Sequence, residues 1–95
     1  MEKLRFGVIG AGGIADRRTL PGMMDAKNAE LTAVMEVSAA DAERLRDKYH
    51  AKRSYTNEHE LLADPEVDAV YIASPVTFHG RQAIAAADAG KHILI

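Results

Sequence analysis

Residues 7–15 read GVIGAGGIA, and this stretch decides the fold. Gly10-Ala11-Gly12-Gly13-Ile14-Ala15 matches the pattern G-x-G-x-x-G/A. Alone the pattern is weak. Its context gives it meaning: a β-prone run, residues 4–9, comes before it, and a helical segment from about Gly13 to Asp25 follows. Gly10 permits a tight turn. Gly12 removes a side chain, so that a pyrophosphate can approach the backbone, and Ala15 is small enough for helix and strand to pack closely. The N–H groups at the helix start, around Gly13 and Ile14, then point at the phosphates, and the helix dipole adds about 0.3–1 kcal/mol. A structural glycine turn without a ligand is the competing reading.

Outward from the turn, elements alternate. Thr19-Leu20-Pro21 interrupts the first helical segment, because proline lacks a backbone N–H and disfavours helix just before it. ELTAVME (30–36) is a second strand. Ser38 is placed to cap the next helix, with Asp41 as its capping-box partner, and Ala42, Leu45 and Tyr49 form one stripe along it. AKRSY (51–55) is a third strand, and its Lys52 and Arg53 suit a sheet edge. Thr56 or Asn57 caps a short helix, EHELLA, which Asp64-Pro65 ends. VDAVYIAS (67–74) is nearly all apolar and therefore a central fourth strand. A helix over 78–89 follows, with Gly90 at its C-terminal cap and HILI (92–95) as strand five. The order βαβαβαβαβ reads as an α/β doubly wound parallel sheet with strand order 3-2-1-4-5.

Two further features carry chemistry. Glu36 ends strand two about 20 residues past the glycine turn, where a carboxylate can accept hydrogen bonds from both adenosine ribose hydroxyls. A 2′-phosphate would meet like charge there, so Glu36 favours NAD over NADP; Arg44 and Arg46 on the next helix leave the preference unsettled. The second feature is ASPVTFHG (73–80), at the carboxyl end of the central strand, where ligands of such sheets lie. Ser74 and Thr77 offer hydroxyls, Pro75 stiffens the loop and His79 enters the helix. Thr77 reads equally as a helix cap, and His79 as a structural histidine. Asp64, Glu66 and Asp68 surround a turn and read as solvated charge. The four histidines show no metal-ligand spacing.

Composition narrows the classes. The 95 residues are 47% hydrophobic and 27% charged, an ordinary globular balance, with net charge −2 that argues against general nucleic-acid or anionic-membrane binding. Zero cysteines exclude a disulfide scaffold and a thiolate metal site and fit a cytoplasmic protein. No signal peptide and no membrane-spanning run is expected.

GVIGAGGIA, ELTAVMEVS and YTNEHELLADPEVDAVYIASPVTFHGRQAIAAADAGKHILI together resemble the amino-terminal Rossmann domain of the Gfo/Idh/MocA oxidoreductases, the glucose–fructose oxidoreductase and inositol dehydrogenase family. The resemblance implies that Gly10, Gly12, Gly13 and Ile14 hold the pyrophosphate and Glu36 the adenosine ribose. It implies that Ser74, Pro75, Thr77 and His79 lie along the nicotinamide half. The family moves a hydride between a sugar or cyclitol carbon and the nicotinamide. In it the strand matching HILI continues into Glu-Lys-Pro and a second domain supplies most of the substrate pocket. Residues 1–95 therefore read as a dinucleotide-binding domain fragment, truncated after the fifth strand, with no catalytic residue and no metal site assigned. The expectations are no turnover, and homodimerisation through the exposed edge at His92, Ile93, Leu94 and Ile95. The rival readings are a nucleotide-sensing module, a self-associating structural fragment and a methyltransferase-like domain.

Overall fold

The computed structural model describes residues 4–10, 29–73 and 76–94; the side chains of 76–79 and 94 lie outside that description. The helix expected from Gly13 falls outside it too. Five strands form one parallel sheet: β1 (Leu4–Ile9), β2 (Ala29–Met35), β3 (Arg53–Tyr55), β4 (Ala69–Ile72) and β5 (His92–Leu94). Their spatial order is β3-β2-β1-β4-β5, the order expected from the sequence. Three helices are described: α1 (Ala39–Tyr49), α2 (Glu58–Leu62) and α3 (Val76–Asp88).

Side-chain alternation along β1 explains why both faces are covered. Ile9 faces a core cluster shared with Ala33, Met35, Leu61, Leu62, Val70, Ile72 and Ala86, so it lies under α2 and α3. Val8 faces a second cluster with Leu31, Val34, Leu45 and Tyr49, under α1. Alternation on β2 is reset by a register shift between Phe6 and Gly7 of β1, where Leu31 and Ala33 are the successive partners and Thr32 is the extra residue. No helix among the described residues is long and apolar enough to cross a membrane.

The element ends differ from the sequence reading for identifiable reasons. Strand three begins at Arg53 rather than 51, because the Ala51 N–H goes to the Arg46 carbonyl at the end of α1. Strand four begins at Ala69 rather than 67, because the Val67 N–H returns to the Asp64 carbonyl and closes the turn. α3 begins at Val76, two residues earlier than Phe78, so Thr77 lies inside its first turn and is not its cap. At its other end Gly90, at φ 76°, closes the helix. The Gly90 N–H bonds Ala87 O at 3.0 Å and the Lys91 N–H bonds Ala86 O at 3.0 Å, which is a Schellman motif. Of the two cap candidates for α2, Asn57 is used: its Oδ1 accepts from the His59 N–H at 2.7 Å. Ser38 Oγ accepts from the Asp41 N–H at 3.4 Å, as expected.

Two glycines give opposite expectations. A Cβ on Gly7 would lie 2.8 Å from Leu61 Cδ2 and 3.1 Å from Val67 Cγ1, so β1 and α2 approach as closely as a bare Cα allows. Gly7→Ala should lower the unfolding free energy by about 1–3 kcal/mol, the cost of overpacking a filled core. Gly80 lies in α3 with nothing within 4 Å of an added Cβ. Gly80→Ala should raise stability by about 0.5–1 kcal/mol, the helix-propensity difference. Urea denaturation of the two variants checks both signs.

Candidate functional site

The carboxyl ends of the strands come level along one edge of the sheet. The Gly10 N–H donates to Met35 O at 3.0 Å, the Glu36 N–H to Tyr55 O at 3.1 Å and the Ala73 N–H to Ile9 O at 2.9 Å. These bonds carry the parallel ladder one residue past β1, β2 and β4. They set Glu36, Gly10 and Ala73 side by side, at about the 4.8 Å spacing of neighbouring strands. From β1 the chain steps to β2 and then β3 on one side, and then returns to β4 and β5 on the other. The reversal falls between the ends of β1 and β4, the place where doubly wound sheets take their ligands. Gly10 and the entry to α3 flank it.

Gly10 has φ 77°, a left-handed conformation that glycine adopts without a Cβ penalty. The turn expected after β1 therefore starts where the pattern placed it, and the backbone there carries no side chain to fill a phosphate's space. Gly12, Gly13 and Ile14 lie outside the described residues, as do Ser74 and Pro75. Glu36 stands one residue past β2, half-buried, and its Oε1 accepts from the Val37 N–H at 3.0 Å. That bond turns the carboxylate back over the β2–α1 connection and fixes one oxygen. Val37, next to it, is 78% exposed, an apolar surface beside a charged one. Thr77 and His79 both fall in the first turn and a half of α3, which enters beside Ala73. The described backbone thus brings Gly10, Glu36, Thr77 and His79 to one edge.

Among the described residues, the two arginines of α1 that the sequence singled out have partners of their own. Arg44 pairs with Asp41 at 3.8 Å. Arg46 donates to Asp47 Oδ1 at 3.1 Å and to Ser54 Oγ of β3 at 3.5 Å. Ser38 Oγ is spent on the α1 cap.

The opposite, amino-terminal edge of the sheet is a rim of ion pairs, and here the sequence reading needs correction. Asp64, Glu66 and Asp68 are not merely solvated. Asp64 has a side chain 3% exposed and accepts from Arg53 Nη1 at 3.2 Å, Tyr55 Oη at 2.9 Å and the Glu66 N–H at 2.9 Å. Burial pushes its carboxyl up, but the Glu66 N–H, the Tyr55 hydroxyl and the Arg53 guanidinium together outweigh burial and hold it below the ordinary value. Glu66 is held down chiefly by its hydrogen bond from Arg53. Asp68 is held down by Arg5, whose Nε and Nη2 form a fork at 3.0 Å each and whose backbone N–H adds a third bond. Lys91 Nζ donates to the carbonyls of Asp64 and Val67, tying the start of β5 to the same turn.

One carboxylate escaped the sequence reading altogether. Glu58, the first residue of α2, is buried, and its Oε1 meets Arg81 Nη1 of α3 at 2.9 Å. Its Oε2 is buried with no hydrogen-bond partner among the described residues. No periodicity marks it, since an acid in a first helical turn is ordinarily exposed.

Comparison with known proteins agrees with this architecture. The family model described as "Oxidoreductase family, NAD-binding Rossmann fold" matches residues 4–95. An uncharacterized oxidoreductase of Rhizobium meliloti is 40% identical over 94 residues, covering 99% of this chain and 28% of that protein. A 3-ketoreductase from Actinomadura kijaniata, solved with NADP and TDP-benzene, superposes with a TM-score of 0.92 at 33% identity, over 98% of this chain and 28% of that one. A scyllo-inositol dehydrogenase from Lactobacillus casei, solved with NAD(H) and scyllo-inositol, shares the fold at a TM-score of 0.88 and 24% identity, over 97% of this chain and 27% of that one. The chain thus spans little more than a quarter of the length of the proteins it matches. A glycine in the left-handed region at the end of β1, the 3-2-1-4-5 sheet and a family match from Leu4 onward agree: the chain belongs to the Gfo/Idh/MocA oxidoreductase family and carries its NAD-binding Rossmann fold.

Proposed function

We propose that residues 1–95 are the dinucleotide-binding domain of an oxidoreductase that oxidises a sugar or cyclitol alcohol, with NAD as the preferred cofactor. The observation that carries the preference is the environment of Glu36. Its carboxylate stands at the end of β2 with one oxygen anchored to the Val37 N–H, and Arg46, in the last turn of α1, is bound to Asp47 and Ser54. A ribose with two free hydroxyls has an acceptor there; a 2′-phosphate meets a like charge.

In this reading Gly10, Gly12, Gly13 and Ile14 hold the pyrophosphate through backbone N–H groups. Ser74, Pro75, Thr77 and His79 line the nicotinamide half. A bound nicotinamide would supply hydride-acceptor chemistry toward the carbon that bears the substrate hydroxyl, with the hydroxyl proton passing to a base. The residues of this chain bind and orient; none of the 95 is assigned the base, and the substrate wall is assigned to a further domain. Relatives solved with NAD(H) and with NADP show that this fold accommodates both cofactors, so the choice rests on Glu36 and its neighbours.

The test is thermal unfolding with each cofactor. NAD at about 100 times its dissociation constant should stabilise the chain by about 2.7 kcal/mol, and NADP at the same concentration by clearly less. No shift with either would contradict the reading. The outer side of β5 belongs to the same proposal: β5 is the last strand of the described sheet, and an edge strand of this kind can pair with a second copy, here through the stretch His92, Ile93, Leu94 and Ile95. Light scattering should then show a dimer, and a monomer at high concentration would sink that part.

A further inference from the structure

We infer that Glu58 is a positioning residue for the nicotinamide half of the cofactor site, acting through Arg81; this rests on the cofactor reading above. The side chain of Glu58 is 9% exposed, whereas that of Arg81 is 62% exposed. Taking a carboxylate out of water is costly, and a largely exposed guanidinium returns only part of that cost. The second oxygen, Oε2, is buried and accepts nothing from the described residues, which adds to the deficit. An apolar residue of similar size would serve the packing beside Leu61 and Leu62 at least as well. Stability therefore does not account for the acid.

What the pair does fix is register. α2 starts just past the carboxyl end of β3, at the same sheet edge as Gly10 and Glu36. Arg81 lies in the second turn of α3, two residues after His79. The 2.9 Å contact holds those first turns against α2, while Ala83, Ala85 and Ala86 make the apolar contact further along. Small alanines allow a helix to slide or rotate; a directional ion pair near its start does not. The entry of α3 beside Ala73, and with it Thr77 and His79, is set by this contact.

The experiment compares the wild-type chain with Glu58→Leu and Glu58→Gln. Three quantities are read: the urea midpoint, amide hydrogen exchange over residues 77–81 without ligand, and affinities for NAD and for AMP, which occupies the adenosine end alone. The expected result for Glu58→Leu is a midpoint no lower than wild type. Exchange over 77–81 should be about tenfold faster, a factor that corresponds to 1.4 kcal/mol. NAD should bind several-fold more weakly, with AMP unchanged. Glu58→Gln keeps an acceptor for Arg81 and should lie between. A lower midpoint with exchange raised throughout the chain, or unchanged exchange over 77–81, would overturn the inference by showing a merely structural acid. Wild-type chain that binds no NAD overturns the cofactor reading. Equal NAD affinity in wild type and Glu58→Leu overturns only the role of Glu58.

Discussion

Asp64→Ala is expected to lower the unfolding free energy by about 3 kcal/mol, at the lower end of what breaking a buried ion pair costs. The side chain is 3% exposed and serves three donors from separate elements: Arg53 and Tyr55 of β3 and the backbone of Glu66 ahead of β4. Removing it leaves the Tyr55 hydroxyl and the Glu66 N–H without this acceptor, and an unmade bond of this kind costs more than a made one contributes. Arg53, with 41% of its side chain exposed, keeps water as a partner, which limits the loss. Asp64→Asn should cost less, since it retains an acceptor oxygen. Urea unfolding at neutral pH measures both.

The same group sets a pH dependence whose sign follows from linkage. Asp64, Glu66 and Asp68 all have folded-state values below their ordinary ones. The folded chain therefore binds protons less readily than the unfolded chain at these sites. Their stabilisation is complete above the ordinary carboxyl range, about pH 4, and is lost as pH falls through the lowered folded values. Wild type and Asp64→Ala should accordingly differ most near neutrality and converge in acid. A difference that persists undiminished to the acid end would contradict the account.

Glu36→Ala is expected to weaken NAD binding by about 100-fold or more, the loss of two hydrogen bonds from ribose hydroxyls to a charged acceptor at about 1.5 kcal/mol or more each. NADP affinity should fall little or rise, because the like charge is gone. Glu36→Arg should go further and invert the preference, by pairing with a 2′-phosphate. Glu36 lies past the end of β2 and is half-buried, so the unfolding midpoint should move little in either variant. Calorimetric titration with both cofactors separates these outcomes, and equal losses for NAD and NADP would mean that Glu36 does not contact the ribose.

Much of the fold was legible because its signals are local. Gly10 at the end of an apolar strand, the Ser38 cap, Asn57 of the two cap candidates and Gly90 each act within a few residues, and each stands where the sequence allowed it. The start of α3 was misjudged because Val76 and Thr77 are β-branched and argue weakly against helix, and packing overrode that preference. The extra residue at Thr32 carries no composition signal; it is set by how β2 meets β1. Partners distant in the chain were illegible for the same reason. Arg5 meets Asp68 across 63 positions and Arg53 meets Asp64 across 11, so three acids that look solvated in a list of residues are bound in the fold. Glu58 and Arg81 belong to that class. The placement of Gly10 and Glu36 at one sheet edge, by contrast, was legible from spacing alone, because the strand ends are level and separation along the chain translates into adjacency.

NAD bound across the ends of β1, β2 and β4 would leave a defined footprint on the backbone, which amide NMR of the 95-residue chain titrated with NAD, and separately with NADP, would read. The expected shifts concentrate at Gly10 to Ala15, at Glu36 and Val37 and at Thr77 to His79, and saturate at lower concentration with NAD. A folded chain whose amides at those positions stay unmoved at millimolar cofactor, or shift instead along the Arg53–Asp64 rim, would contradict binding at that edge.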